Sequence, residues 1–215
     1  MKLTFENIMF IDNYLDNSDI IYKDIRMEML DHISSEIEDR IKNGDDRDFY
    51  YIFKDYMVKN KARLLSDNKQ FLKSADRKIA KLLFKDLLSI HGLVVFVVIF
   101  YSFYMAFNYY NYELFETILF AVPIITSIFF GLAYFIALKS YKLNRYSVIE
   151  RVAFPFIIIF HVLTSLNNIL KPLIDGNSIL IMIAIISLCL TLLILLFKIT
   201  ISLAKTYQIR FTNLV

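Results

Sequence analysis

Four apolar runs, each about as long as a bilayer-crossing helix, constrain this chain more than any other feature. A helix rises about 1.5 Å per residue, so roughly 30 Å of hydrocarbon requires about 20 mostly apolar residues. Such runs fall at about 91–110, 114–138, 150–170 and 179–198, the first centred on Leu93-Val94-Val95-Phe96-Val97-Val98-Ile99-Phe100. The hydrophobic share of the chain is 57%, above the roughly 45–50% of a soluble domain. The excess belongs in lipid.

Charge is concentrated in the other part of the sequence. Residues up to about 89 hold 33 of the 45 charged side chains and the rest of the chain holds 12. The expected fold is all-α: an integral membrane protein with a cytoplasmic three-helix bundle over 1–68, a basic amphipathic juxtamembrane helix over 69–90, and a four-helix transmembrane bundle over 91–215 with a short cytoplasmic tail. Residues 1–16 contain Glu6, Asp12 and Asp16 without an uninterrupted apolar core, so they are not expected to form a cleavable signal peptide. Cys189 is the single cysteine, which leaves no intrachain disulfide and no cysteine-based metal site.

Orientation follows from the cations, because short cytoplasmic loops are enriched in Lys and Arg. Lys78, Lys81 and Lys85 precede the first run, Lys139, Lys142 and Arg145 separate the second from the third, and Lys198, Lys205 and Arg210 follow the fourth. The link 108–113 has no cation and the link 170–178 has only Lys171, beside Asp175. The expected topology therefore has both termini in the cytoplasm, with Tyr109, Tyr110 and Tyr112 at the outer interface. Pro123 and Pro155 sit inside the second and third runs, where each is expected to kink its helix, either for packing alone or as a hinge or cavity lining.

In the head, a first helix is expected over about 5–15 and a second over about 20–42, with Ile21, Ile25, Met29, Ile33, Ile37 and Ile41 forming one apolar stripe. Asn43-Gly44 closes it, since Gly accepts the left-handed conformation at a helix end. A third helix over about 48–65 presents Phe49, Tyr51, Ile52, Phe53, Tyr56 and Met57. A bundle of this size lies near the lower limit of independent stability, so a second surface to lean on is expected. Residues 74–90 form a further helix with Lys78, Lys81 and Lys85 on one face and Ile79, Leu82, Leu83 and Leu87 on another. That helix either lies against anionic headgroups or serves only as a collar that fixes topology.

With four glycines in the chain there is no phosphate-binding loop and no dinucleotide fingerprint, and HExxH and GxSxG are also absent. No enzyme activity, cofactor or metal is expected. The densest polar cluster is Glu28, Asp31, His32, Glu36 and Asp39 on the second helix, with Glu28, His32 and Glu36 four apart on one face. Two carboxylates and an imidazole suit a divalent metal in principle, but no other His is near, and an interaction surface is the better expectation. His161, with Asn167 and Asn168 one to two turns on, is the candidate intramembrane polar site: buried polar groups at that depth either hydrogen-bond within the bundle or handle a proton or ligand. Direct nucleic-acid binding is not expected, because residues 1–60 carry 14 acidic against 8 basic side chains and phosphate neutralisation needs clustered cations.

The stretch Ile25-Arg26-Met27-Glu28-Met29-Leu30-Asp31-His32-Ile33-Ser34-Ser35-Glu36-Ile37-Glu38-Asp39-Arg40, between a short helix and an aromatic helix, resembles the small helical domains associated with PadR-type regulators, the HAAS or DUF1700-like domains commonly joined to transmembrane helices. The Asp31-His32 pair and its acidic continuation look closest to membrane proteins of Flavobacteria and their relatives. The resemblance covers roughly residues 5–65 and implies a cytoplasmic protein-interaction or signalling module on a membrane anchor, with no catalytic residues to carry over. Its partners would be membrane lipid, a protein bound through the head, and a further copy or a larger membrane complex. The alternative expectation is a small transporter, or the membrane subunit of one, built around His161.

Overall fold

Each helix near the N-terminus starts and stops where its own residues dictate. The Thr4 hydroxyl accepts from the amide of Asn7 at 3.3 Å and opens α1 (Phe5–Asp16). Asp19 then takes φ +64°, a turn conformation that Asp tolerates better than most residues. The chain re-enters helix at α2 (Lys23–Lys42), three residues later than the apolar stripe suggests. Ile21 consequently precedes the helix and is 45% exposed, while Ile25, Met29, Ile33 and Ile37 are buried. Gly44 closes α2 with φ +94°, and the Asp45 amide bonds back to the Arg40 carbonyl at 3.1 Å.

α3 (Phe49–Leu87) is one helix of 39 residues, where two were expected, over about 48–65 and 74–90. The intervening Ser66-Asp67-Asn68-Lys69-Gln70-Phe71-Leu72-Lys73 contains neither Gly nor Pro, so nothing local stops the helix. The remaining elements are α4 (Ile90–Tyr109), α5 (Tyr112–Ser140), α6 (Ser147–Arg151), α7 (Ala153–Leu170) and α8 (Ile179–Thr212). The computed structural model describes residues 2–140, 143, 145–170 and 179–212, the side chains of 166–170 and 210–212 excepted. Among the described residues every element is helical.

The chain forms two compact units, Met1–Asp76 with Arg145–Val148, and Arg77–Asn144 with Ile149–Val215. α3 runs through residue 68 without interruption, and the two units divide within it, between Asp76 and Arg77. In the first unit Ile11 and Leu15 of α1, Ile25, Met29, Ile33 and Ile37 of α2, and Ile52, Phe53, Tyr56 and Met57 of α3 share one apolar core. Tyr51, expected within it, is 59% exposed. Arg26 is buried against this core. Its guanidinium donates to Asp12 at 3.0 Å, to Asp16, and to the Ile20 carbonyl at 3.4 Å. A buried cation requires such partners.

The second unit holds α4, α5 and α8, α7, and the last turns of α3. Among the described residues four helical segments are long and apolar enough to cross a membrane: Ile90–Tyr109, Tyr112–Ser140, Ser147–Ser165 and Ile179–Ile209, the third beginning in the first unit. α8 packs against each of α4, α5 and α7, and 61% of its most apolar window is buried against 11% for α4. Small hydroxyl residues line its contacts. Thr191 and Thr200 are buried and satisfy their hydroxyls on carbonyls one turn back, at 2.8 and 2.7 Å. Helix α8 continues to Thr212, so the expected short tail is helical as far as that residue.

Pro123 and Pro155 behave differently. α5 continues through Pro123, whose carbonyl accepts from the buried Ser127 hydroxyl at 2.7 Å. Pro155 lies in the first turn of α7, just after the break at Val152 that separates α6 from α7. A proline ring clashes with the carbonyl four residues back, here Arg151, so the chain breaks there. Between α3 and α4 the Ser89 hydroxyl donates to the Asp86 carbonyl at 2.6 Å and accepts from the Gly92 amide at 3.1 Å. A Cβ on Gly92 would stand 2.2 Å from the Asp86 carbonyl oxygen, so only glycine fits this junction.

Candidate functional site

A groove of about 470 Å³ lies between α2 and α3 in the first unit. α2 contributes Met29, His32 and Glu36, spaced three and four apart on one face. α3 contributes Tyr56, Arg63, Leu64, Asp67, Gln70 and Phe71, a set that exists only because the helix runs through residues 66–73. Met29, Tyr56 and Leu64 are buried and form the floor, whereas His32, Glu36, Arg63 and Gln70 stand exposed on the rim. At one end the Arg40 guanidinium lies 5.6 Å over the Tyr56 ring and donates to Glu36 at 3.3 Å. The groove thus offers an apolar floor and a rim carrying both signs of charge, a surface suited to recognition.

The acidic cluster read from the sequence does not converge here as a whole. His32 and Glu36 line the groove; Glu28 and Asp31 are exposed on α2 and are not among its lining residues; Asp39 pairs with Lys42 at 3.3 Å near the helix end. Among the described residues no three His, Cys, Asp or Glu side chains are placed to share a metal ion. Arg63 and Asp67 escaped the sequence reading because they fell at the end of, and beyond, the helix expected to stop near residue 65. The available signal was the absence of any helix breaker there.

A second constellation in the same unit lies where the segment Arg145–Val148 joins the head. The Asp24 carboxylate accepts from the Ser147 amide at 2.9 Å and from its hydroxyl at 2.5 Å. The Lys23 amide donates to the Arg145 carbonyl at 2.8 Å, and the Arg145 guanidinium lies 3.7 Å from Asp16. Arg145 takes φ +66°, a left-handed conformation unfavourable for a non-glycine residue, which these contacts hold in place. Burial and the nearby Asp24 charge raise the Tyr146 hydroxyl above its ordinary pKa.

Lys78, Lys81 and Lys85 are all exposed on α3, while Ile79 is 2% exposed on another face. His161 lies on the exposed side of α7 together with Ile157, Ile158 and Val162. The side chains of Asn167 and Asn168 lie outside the described residues. Comparison of the chain with family models, with curated proteins and with solved structures gives no match.

Proposed function

We propose that this chain is a non-enzymatic bacterial inner-membrane protein whose N-terminal domain, a cytoplasmic three-helix bundle, binds another protein while four spans anchor it. The observation that carries the reading is the groove between α2 and α3, with the buried floor Met29, Tyr56 and Leu64 beneath the exposed rim His32, Glu36, Arg63 and Gln70. A partner helix with a short apolar face and polar flanks matches that profile, since such grooves take side chains spaced one turn apart. The resemblance of residues 25–40 to PadR-associated domains points to a regulator or another signalling protein as the partner. The excess of Lys and Arg before α4, between α5 and α7, and after residue 197 supports a cytoplasmic head and cytoplasmic termini.

The transport reading draws no support from the geometry, because His161 is on the exposed side of α7 rather than in a packed interior. The interaction reading is tested in living cells with a photo-crosslinking amino acid placed at Gln70, on the groove rim, or at Val58, which is 78% exposed and outside the groove lining. A discrete heavier adduct from position 70 and none from position 58 is the expected result. Adducts from neither position, or equally from both, would remove the groove as the site of recognition.

A further inference from the structure

A crevice in the second unit differs in kind from the head groove. It has a volume of about 240 Å³ and lies between α5, α7 and α8, with Phe130, Gly131, Phe135, Phe156, Leu193 and Phe197 around it. Phe130 and Phe197 stack at 4.5 Å and form one wall. Two hydroxyls reach it, and both are already engaged: Tyr134 donates to the Ile149 carbonyl at 3.0 Å, and Thr200 to the Leu196 carbonyl at 2.7 Å. A crevice whose hydroxyls are internally satisfied selects hydrocarbon, since a polar ligand placed there would lose hydrogen bonds to water without replacing them.

The charge pattern along α5 says which hydrocarbon. Beyond Glu116 the only charged residue of α5 is Lys139, which is exposed. It stands four residues after Phe135 and eight after Gly131, on the crevice side of the helix one turn further along. A cation just past the end of an apolar crevice between spans is the arrangement that holds an anionic headgroup while the acyl chain fills the space below. We infer that this crevice is a binding site for one anionic phospholipid, its acyl chain between α5, α7 and α8 and its phosphate at Lys139.

Gly131 makes the site testable without disrupting the packing. A Cβ there would meet nothing nearer than Phe156 at 3.5 Å, an ordinary contact, so Gly131→Ala leaves the crevice open and Gly131→Leu fills it. The chain contains no tryptophan, so Phe135→Trp supplies a single tryptophan, excited selectively over the tyrosines, in the full-length protein, and Val97→Trp, on a 60% exposed position of α4, supplies a control for bulk lipid. Each is reconstituted into phosphatidylcholine vesicles and titrated with brominated phosphatidylglycerol or brominated phosphatidylcholine of the same chains. Quenching at position 135 should be half-complete at a several-fold lower fraction of the anionic lipid than of the zwitterionic one. The preference should vanish with Lys139→Gln, the tight phase should vanish with Gly131→Leu and persist with Gly131→Ala, and position 97 should show no preference. Equal quenching by the two lipids at position 135, or a preference unaffected by Gly131→Leu, would overturn the site in favour of ordinary bulk lipid.

Discussion

The head and the membrane helices use the same apolar residues in opposite ways. In the head, Ile11, Leu15, Ile33, Ile37 and Ile52 have no exposure at all and, of the described charged residues there, only Arg26 is buried, so stability comes from removing apolar surface from water. In the candidate spans, Val97, Ile125, Phe129, Phe135 and Ile157 are all more than half exposed, an apolar surface suited to lipid. There the helix is required by the need to satisfy every backbone amide internally, and side chains decide only how helices meet. One substitution should therefore have very different consequences in the two regions.

The largest contrast should come from removing a branched side chain in each. Ile33→Ala leaves a cavity in a closed core and should destabilise the head by about 2–5 kcal/mol. Val97→Ala, on a lipid-facing position, should stay within about 0.5 kcal/mol. Hydrogen exchange of the full chain in lipid nanodiscs reads both: the amides of α2 should lose protection in the first variant, and those of α4 should be unchanged in the second. Similar losses in both regions would erase the distinction.

A smaller effect is expected where backbone geometry rather than burial sets the limit. Gly92→Ala forces a Cβ against the Asp86 carbonyl and should cost about 1–3 kcal/mol through displaced backbone. Gly131→Ala, with room for its methyl, should be neutral or stabilising by up to about 1 kcal/mol through helix propensity. Thermal unfolding in detergent should separate the two variants in opposite directions; a lowered midpoint for both would mean that Gly131 is also sterically required.

Next in size is the joint between the head and the segment Arg145–Val148. Asp24→Ala removes both acceptors used by Ser147 and should cost about 1–2 kcal/mol, seen as faster hydrogen exchange confined to residues 145–148. If exchange there is unchanged, the Lys23 amide and the Arg145–Asp16 pair hold the segment unaided.

The smallest effect should be the pH response of the turn after α2. Arg47 hydrogen-bonds Asp45 at 2.8 Å and Asp55 at 2.6 Å, which lowers both carboxyls, Asp45 from 3.8 to about 2. A depressed carboxyl stabilises the folded form fully above its ordinary pKa and stops doing so as pH falls through the lowered one. The turn should thus loosen only as pH drops from about 4 towards 2, and weakly, because Arg47 and Asp55 are exposed and Asp45 is only partly buried, which leaves the pairs open to solvent screening. Carboxyl-carbon NMR titration of Asp45 checks this; a midpoint near the ordinary value would deny the pairing.

Much of the architecture was legible because its signals are local. The apolar runs read as 91–110, 114–138, 150–170 and 179–198 coincide closely with the long apolar helices, and Gly44 marked its helix end. The errors have more than one cause. Ile21 matched the stripe but precedes the helix, since the turn at Asp19 delays its start to Lys23. The expected gap between about 65 and 74 rested on polarity, yet a polar stretch without Gly or Pro continues a helix already begun. That misjudgement hid Arg63 and Asp67 from the candidate site. Nothing in the spacing around Arg26 marks it for burial, and only the fold brings Asp12 and Asp16 to it. The partnership of Asp24 with Ser147 spans 123 residues, a separation at which no pattern of spacing gives warning.

The claim on which the rest depends is that the head and the α5–α7 link lie on the cytoplasmic side and the α4–α5 link on the other. Single cysteines at Asp46, in the exposed turn after α2, and at Tyr110, in the α4–α5 link, in a Cys189→Ala background, test it with a membrane-impermeant thiol reagent. In cells with a permeabilised outer envelope and intact inner membrane, only the Tyr110→Cys protein should be labelled, and in inside-out vesicles only the Asp46→Cys protein. Labelling of both positions from the same side would contradict the four-span arrangement.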